Sequence, residues 1–159
     1  MPSRLKVSPL PTWSDKSRDN PQGPPTYIRH ASANPGALQV SWASYTAAGA
    51  PPRMTDDGLI QLAMRLATGS GAQFVSRHNG NSSWGRFGCV VATTPQHRMQ
   101  IWVINSGPES VLVTHTGPNP PDEVEILEAE QIAMGILVTD AEDRPTKKPS
   151  LWQRLRGGG

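Results

Sequence analysis

The sequence predicts an α+β fold: an antiparallel sheet of about five to six strands flanked by two helices, in the order β-β-α-β-β-β-β-α. Three observations predict it. Leu38, Val40 and Trp42 alternate with Gln39, Ser41 and Ala43, the period of two expected of a half-buried strand. Met99, Ile101 and Val103 alternate with Gln100, Trp102 and Ile104, so this strand is largely apolar on both faces and belongs at the centre of a covered sheet. Residues 55–69 and 122–136 instead repeat apolar side chains at three-to-four spacing, as helices do.

Taken in order, residues 1–25 read as a proline-rich N-terminal arm. Pro2, Pro9, Pro11, Pro21 and the Pro24-Pro25 pair remove backbone donors, which predicts an extended, loosely docked segment pinned by Trp13. A single α+β domain is expected over 26–139. Residues 26–31 and 37–45 form its first hairpin, around the turn signal Asn34-Pro35-Gly36. Residues 47–53, with Gly49 and Pro51-Pro52, are a loop.

Thr55 caps the first helix, Asp56 and Asp57 complement its positive end, and Leu59, Leu62, Ala63 and Leu66 form its core stripe. Ile60 and Met64 widen that stripe, and Gly69 suits a left-handed residue beyond the helix end. Residues 72–78 are the next strand, and 79–83, Asn-Gly-Asn-Ser-Ser, a turn-rich connection. In the strand after Trp84, Phe87, Cys89 and Val91 share a face, while Gly85 and Gly88 predict a bulge or strong bend. Strands at 99–104 and 110–116 follow.

Gly117-Pro118-Asn119-Pro120-Pro121 then breaks the sheet and launches the second helix. Its Ile126, Ala129, Ala133 and Ile136 are expected to face the core, leaving Glu125, Glu128 and Gln131 to water. Residues 140–159 read as a flexible tail. Its end, Arg154-Leu155-Arg156-Gly157-Gly158, is similar to the ubiquitin terminus over five residues, on a chain whose element order is not that of a β-grasp.

Composition narrows the function classes. A net charge of +2 makes no global case for nucleic acid. Arg53, Arg65, Arg77, Arg86 and Arg98 are scattered, as on a solvated surface, although Trp84 and Trp102 lie among them. A single cysteine, Cys89, excludes an internal disulfide and predicts a buried, inert thiol. No signal peptide and no run of roughly 20 apolar residues is visible, which leads to the expectation of a soluble cytoplasmic protein without membrane contact. Gly69-Ser70-Gly71 lacks the Lys-Ser/Thr pair of a phosphate loop and follows a helix instead of preceding one. His30, His78, His97 and His115 show no helical i, i+4 pairing, so neither metal nor cofactor is expected. The stretch 122–143 holds eight acidic residues and no Lys or Arg, and its field would draw a basic protein partner.

The element order resembles the PsbP-like α/β/α sandwich, a fold also seen in a Ran-binding import factor and in bacterial secretion chaperones and lipoproteins. The matching features are Trp13-Ser14-Asp15, the strand pair with Trp42, the helix from Thr55, the strands through Trp102 and the closing helix at 128–136. The resemblance spans roughly residues 12–138. It implies a family that mostly binds other proteins and seldom catalyses, and it carries over no functional residue.

The expected function is therefore a non-enzymatic protein-binding module of bacterial type: an immunity protein, secretion chaperone or adaptor. Trp84, Arg86, Trp102, His97, Arg98, Glu125 and Glu128 are its candidate recognition residues. The alternatives are a small hydrolase-like enzyme joining His78, His97 and His115 to a distant carboxylate, and weak binding of single-stranded nucleic acid.

Overall fold

The structure, a computed structural model, describes residues 5–44, 54–69 and 71–139. The elements are β1 (Leu5–Lys6), β2 (Trp13–Asp15), β3 (Thr26–Arg29), β4 (Ala37–Ser44), α1 (Asp56–Thr68), β5 (Gln73–Asn81), β6 (Arg86–Thr93), β7 (His97–Ser106), β8 (Glu109–Pro118), α2 (Glu123–Met134) and β9 (Leu137–Val138). From β3 to α2 the order is the one the sequence predicts. The main sheet has seven strands in the order β2-β3-β4-β8-β7-β6-β5, with antiparallel neighbours throughout. The expected loop at 47–53 and tail at 140–159 lie outside the described residues.

The extra strands come from the supposedly irregular arm, which is a correction. Trp13–Asp15 pairs with β3, and Leu5–Lys6 pairs with β9. The prolines flank these short runs without interrupting them, so the pairing residues keep their N–H groups. The Trp13 indole is buried and closes the ladder's inner side.

The two faces of the sheet carry two cores. Phe87, Cys89, Trp102, Ile104, Val111, Val113, Leu38 and Val40 pack with Ala129, Ile132, Ala133 and Ile136 at the α2 side. Val90, Ala92, Ile101 and Val103 pack with Leu59, Ile60, Ala63 and Ala67 of α1. Trp102 thus sits at the centre of the sheet with no exposed surface.

Local chemistry sets the helix starts. Thr55 Oγ1 accepts from Gly58 N at 3.1 Å, and Asp122 Oδ1 accepts from Val124 N at 3.0 Å. Both helices are rotated relative to expectation. In α1 the stripe is Leu59, Ile60, Ala63 and Ala67, and Leu66 is exposed. In α2 the buried set is Glu125, Ala129, Ile132 and Ala133, while Val124 and Leu127 point outward. Gly69 is right-handed (φ −62°), and the left-handed residue is Gly71 (φ 90°).

The expected bend at Gly85 and Gly88 is also corrected. β6 pairs in unbroken register with β7 from Arg86↔Asn105 to Thr93↔Arg98, and the irregularity falls in β5 between Phe74 and Ser76. Gly88 serves close approach instead: a Cβ there would lie 2.7 Å from Ile60 N and 2.8 Å from the Leu59 carbonyl carbon. β5 also runs on through the expected turn, pairing Asn79 to Asn81 with Gly88 to Arg86. The actual turn is Ser82 to Gly85, closed by Ser82 N to Gly85 O at 2.7 Å. Among the described residues no helix is long and apolar enough to cross a membrane.

Candidate functional site

The seven sequence-predicted residues do not converge. Trp84 and Arg86 stand at the β6 start, and His97 and Arg98 at the opposite end of the neighbouring strand, as the register Arg86↔Asn105 and His97↔Pro118 requires. Trp102 and Glu125 are buried and cannot meet a partner from the surface of this fold. Trp84 is half-buried against the α2-side core. Arg86 is committed to α1, giving Asp56 two hydrogen bonds and Asn81 Oδ1 one at 2.9 Å. That ion pair holds the Asp56 carboxyl below its ordinary value.

Two carboxylates of the acidic helix, Glu125 and Glu128, turn inward instead of facing water as the sequence predicts. Glu128 Oε1 accepts from Arg29 Nε at 2.8 Å, Thr12 Oγ1 at 2.8 Å and Trp13 Nε1 at 3.0 Å. The Arg29 hydrogen bond is the main reason its carboxyl is held below the usual range. Arg29 Nη1 also reaches Ser32 Oγ at 3.1 Å, and Ser32 Oγ donates to Asp122 Oδ2 at 3.0 Å. This cluster ties the arm, β3 and α2 together, and sequence reasoning missed it. The available signal was the spacing of Asp122, Glu125 and Glu128, three apart on one side of a helix.

Glu125 makes the deepest polar contact. Its Oε2 lies 2.6 Å from His115 Nε2 and accepts from Gly36 N at 2.8 Å. An ionised carboxylate only accepts, so the imidazole proton of this contact resides on Nε2. Burial pushes the Glu125 carboxyl up, and the His115 and Gly36 hydrogen bonds, with the Ser32 hydroxyl alongside, outweigh it and hold it below the ordinary value. Gly36 has no room for a side chain, since a Cβ would lie 2.4 Å from Thr116 O.

The histidines of the enzyme alternative are kept apart. His115 pairs with Glu125 inside the core, and His78 pairs with Glu130 at 3.2 Å on the exposed β5 edge. His97 lines two adjoining clefts at the Thr94 to His97 turn. One, about 390 Å³, is formed with Ile28, Asn34, Gly36, Gln96 and Thr116; the other, about 350 Å³, with Ala72, Ala92, Thr94 and Met99. Among the described residues His97 is the only titratable side chain in either wall, so those residues form no acid–base pair there. Among the described residues no three of His, Cys, Asp and Glu are grouped to hold a metal ion.

Arg98 is partly buried, gives a hydrogen bond to Gln100 Oε1 at 3.0 Å, and has its pKa lowered by desolvation. Gln100 Nε2 in turn lies 3.2 Å from Cys89 Sγ. Burial pushes the Cys89 thiol up to about 12. We expect Cys89 to resist an aromatic disulfide reagent for hours in the native protein and to react within seconds in denaturant. Fast native labelling would contradict its place in the core.

Large apolar side chains are exposed on β5 and on α2. β5 is exposed along its length apart from Gly80, with Phe74 46% and Val75 55% exposed. On the outer side of α2, Val124 and Leu127 are 50% and 68% exposed.

No protein-family model matches the chain, and no curated protein matches it in sequence. Solved structures do match in fold. Cyanobacterial PsbP (CyanoP) from Synechocystis sp. PCC 6803 is similar with a TM-score of 0.55 at 9% identity, over 87% of this chain and 95% of that one. A protein from Bacteroides thetaiotaomicron VPI-5482 is similar with a TM-score of 0.51 at 12% identity, over 98% of this chain, which spans 56% of that protein. The chain therefore has a PsbP-like α/β/α fold, a seven-stranded antiparallel sheet held between α1 and α2.

Proposed function

We propose that this chain is a non-enzymatic protein-binding module, in the manner of an immunity protein, secretion chaperone or adaptor of bacterial type, and that it binds through the β5 edge of its sheet. The observation that carries this reading is β5 itself. It is nine residues long, stands at the end of the sheet, and is exposed on both faces except at Gly80. A strand at a sheet edge presents unpaired N–H and C=O groups at every second residue, a template for a strand from another protein. Phe74 and Val75 add exposed apolar surface at its start.

Of the histidines that catalysis would draw on, His115 is paired with Glu125 and His78 with Glu130, while Arg86 is held by Asp56 and Arg29 by Glu128. A cytoplasmic setting belongs to the same reading.

The test is capture from a native lysate by tagged chain, run beside a variant carrying Phe74→Asp and Val75→Asp. Both positions are exposed, so the variant should fold. The reading expects a protein retained by the natural chain and lost by the variant. An identical captured set for both, or none for either, would sink it.

A further inference from the structure

We infer that the β5 edge takes an extended segment of a partner protein as an added strand, with an aspartate or glutamate of that segment set against Arg77 and apolar side chains over Phe74 and Val75. This rests on the protein-binding reading and names the chemistry of the partner.

The register defines the receiving surface. The irregularity between Phe74 and Ser76 confines regular pairing to Ser76 through Asn81, opposite Val91 through Arg86. Those six residues span about 20 Å, enough for a short added strand. Arg77 stands opposite Val90, and Phe74 opposite Ala92, both of which pack against α1. Arg77 and Phe74 therefore lie on the same face of the edge, the α1 face.

The charges around this edge decide the partner. On the α1 face, Asp56 is occupied by Arg86 and Asn79. On the α2 face, His78 faces Glu130. Arg77 is exposed and, among the described residues, has no carboxylate within ion-pair distance. A guanidinium left free beside an open backbone ladder favours an incoming carboxylate, which it can grip with two parallel hydrogen bonds, and repels an incoming lysine. A second copy paired about the middle of β5 would set one Arg77 against the other, a like-charge opposition that disfavours self-pairing.

The probe is a synthetic peptide of about nine residues alternating valine and threonine, with glutamate at its centre. Beside it stand the same peptide with lysine at the centre and a backbone N-methylated glutamate form. Binding to the full chain is read by fluorescence anisotropy, and its place by amide hydrogen exchange. The glutamate peptide should bind at least about tenfold more tightly than the lysine peptide, and Arg77→Glu should invert that order. The N-methylated form should not bind, and protection should appear within 73–81. Equal affinity for both charges, or protection elsewhere, overturns the inference. A dimer seen by sedimentation and abolished by Phe74→Asp with Val75→Asp also overturns it, by assigning the edge to a second copy. If the peptides fail while the lysate partner still depends on Phe74 and Val75, only the partner chemistry is wrong. Retention of that partner by the double variant removes the β5 reading itself.

Discussion

Glu125→Ala is expected to destabilise the domain by about 2–5 kcal/mol, since it strands two buried hydrogen-bond donors at roughly 1–3 kcal/mol each. The side chain is 3% exposed and holds both His115 Nε2 and Gly36 N. Its loss leaves an imidazole and a backbone N–H in the core without their acceptor, and each is costly when unmade. His115→Ala should do comparable damage by stranding the carboxylate. The double variant should cost clearly less than the two singles added, because the second substitution removes a group already without its partner. Urea titration reads this as a shifted midpoint at unchanged slope. Additive costs would show that the two side chains do not act as a pair.

The same site gives a pH dependence with a definite sign. The folded carboxyls of Glu125, Glu128 and Asp122 are held below their ordinary values of 4.5, 4.5 and 3.8. The unfolded chain therefore binds more protons across this window, and stability rises with pH. The contribution is complete above about pH 4.5 and drains away as pH falls through the lowered folded values. Glu125→Gln should flatten this acid response, because the amide does not titrate.

Gly88→Ala is the second large effect, expected at about 3 kcal/mol and roughly a 10 °C fall in melting temperature. The new methyl would press on the Leu59 and Ile60 backbone at 2.7–2.8 Å, and backbone cannot rotate aside as a side chain can. α1 would have to lift from β6, loosening its contacts with Val90, Ala92, Ile101 and Val103. Gly135→Ala is the control. Its nearest neighbour to a new Cβ is 3.6 Å away and its φ is −93°, so it should be neutral or gain up to about 1 kcal/mol.

These positions show what the sequence makes legible. Element order follows from periodicity, and Trp102 is the clearest instance: apolar neighbours on both faces place it in a central strand, where it is fully buried. Helical phase in α2 is legible in part: Ala129, Ala133 and Ile136 are buried as the spacing predicts, but Val124, Ile126, Leu127 and Ile132 surround the axis and hide the inward turn of Glu125. The sheet decides the phase by supplying Arg29 and His115 to the acidic side. Asn79-Gly80-Asn81 has the composition of a turn, yet Gly80 is used to seat the Phe87 ring, whose Cε2 lies 3.1 Å from a would-be Cβ. Gly88 likewise carries a packing role that composition alone reads as a bend. Of the predicted site residues, His97 lies beside two clefts that periodicity does not foretell, and the β5 edge is hidden from the sequence because strand length and sheet position are tertiary facts.

Native-state hydrogen exchange of the isolated full chain tests the central claim most directly. If β5 is an open edge, alternate amides of Ser76 through Asn81 exchange fast, while those bonded to β6 and the amides of β6 and β7 are slow. Uniform protection along the whole of β5 would mean that the edge is already covered, and would contradict the account.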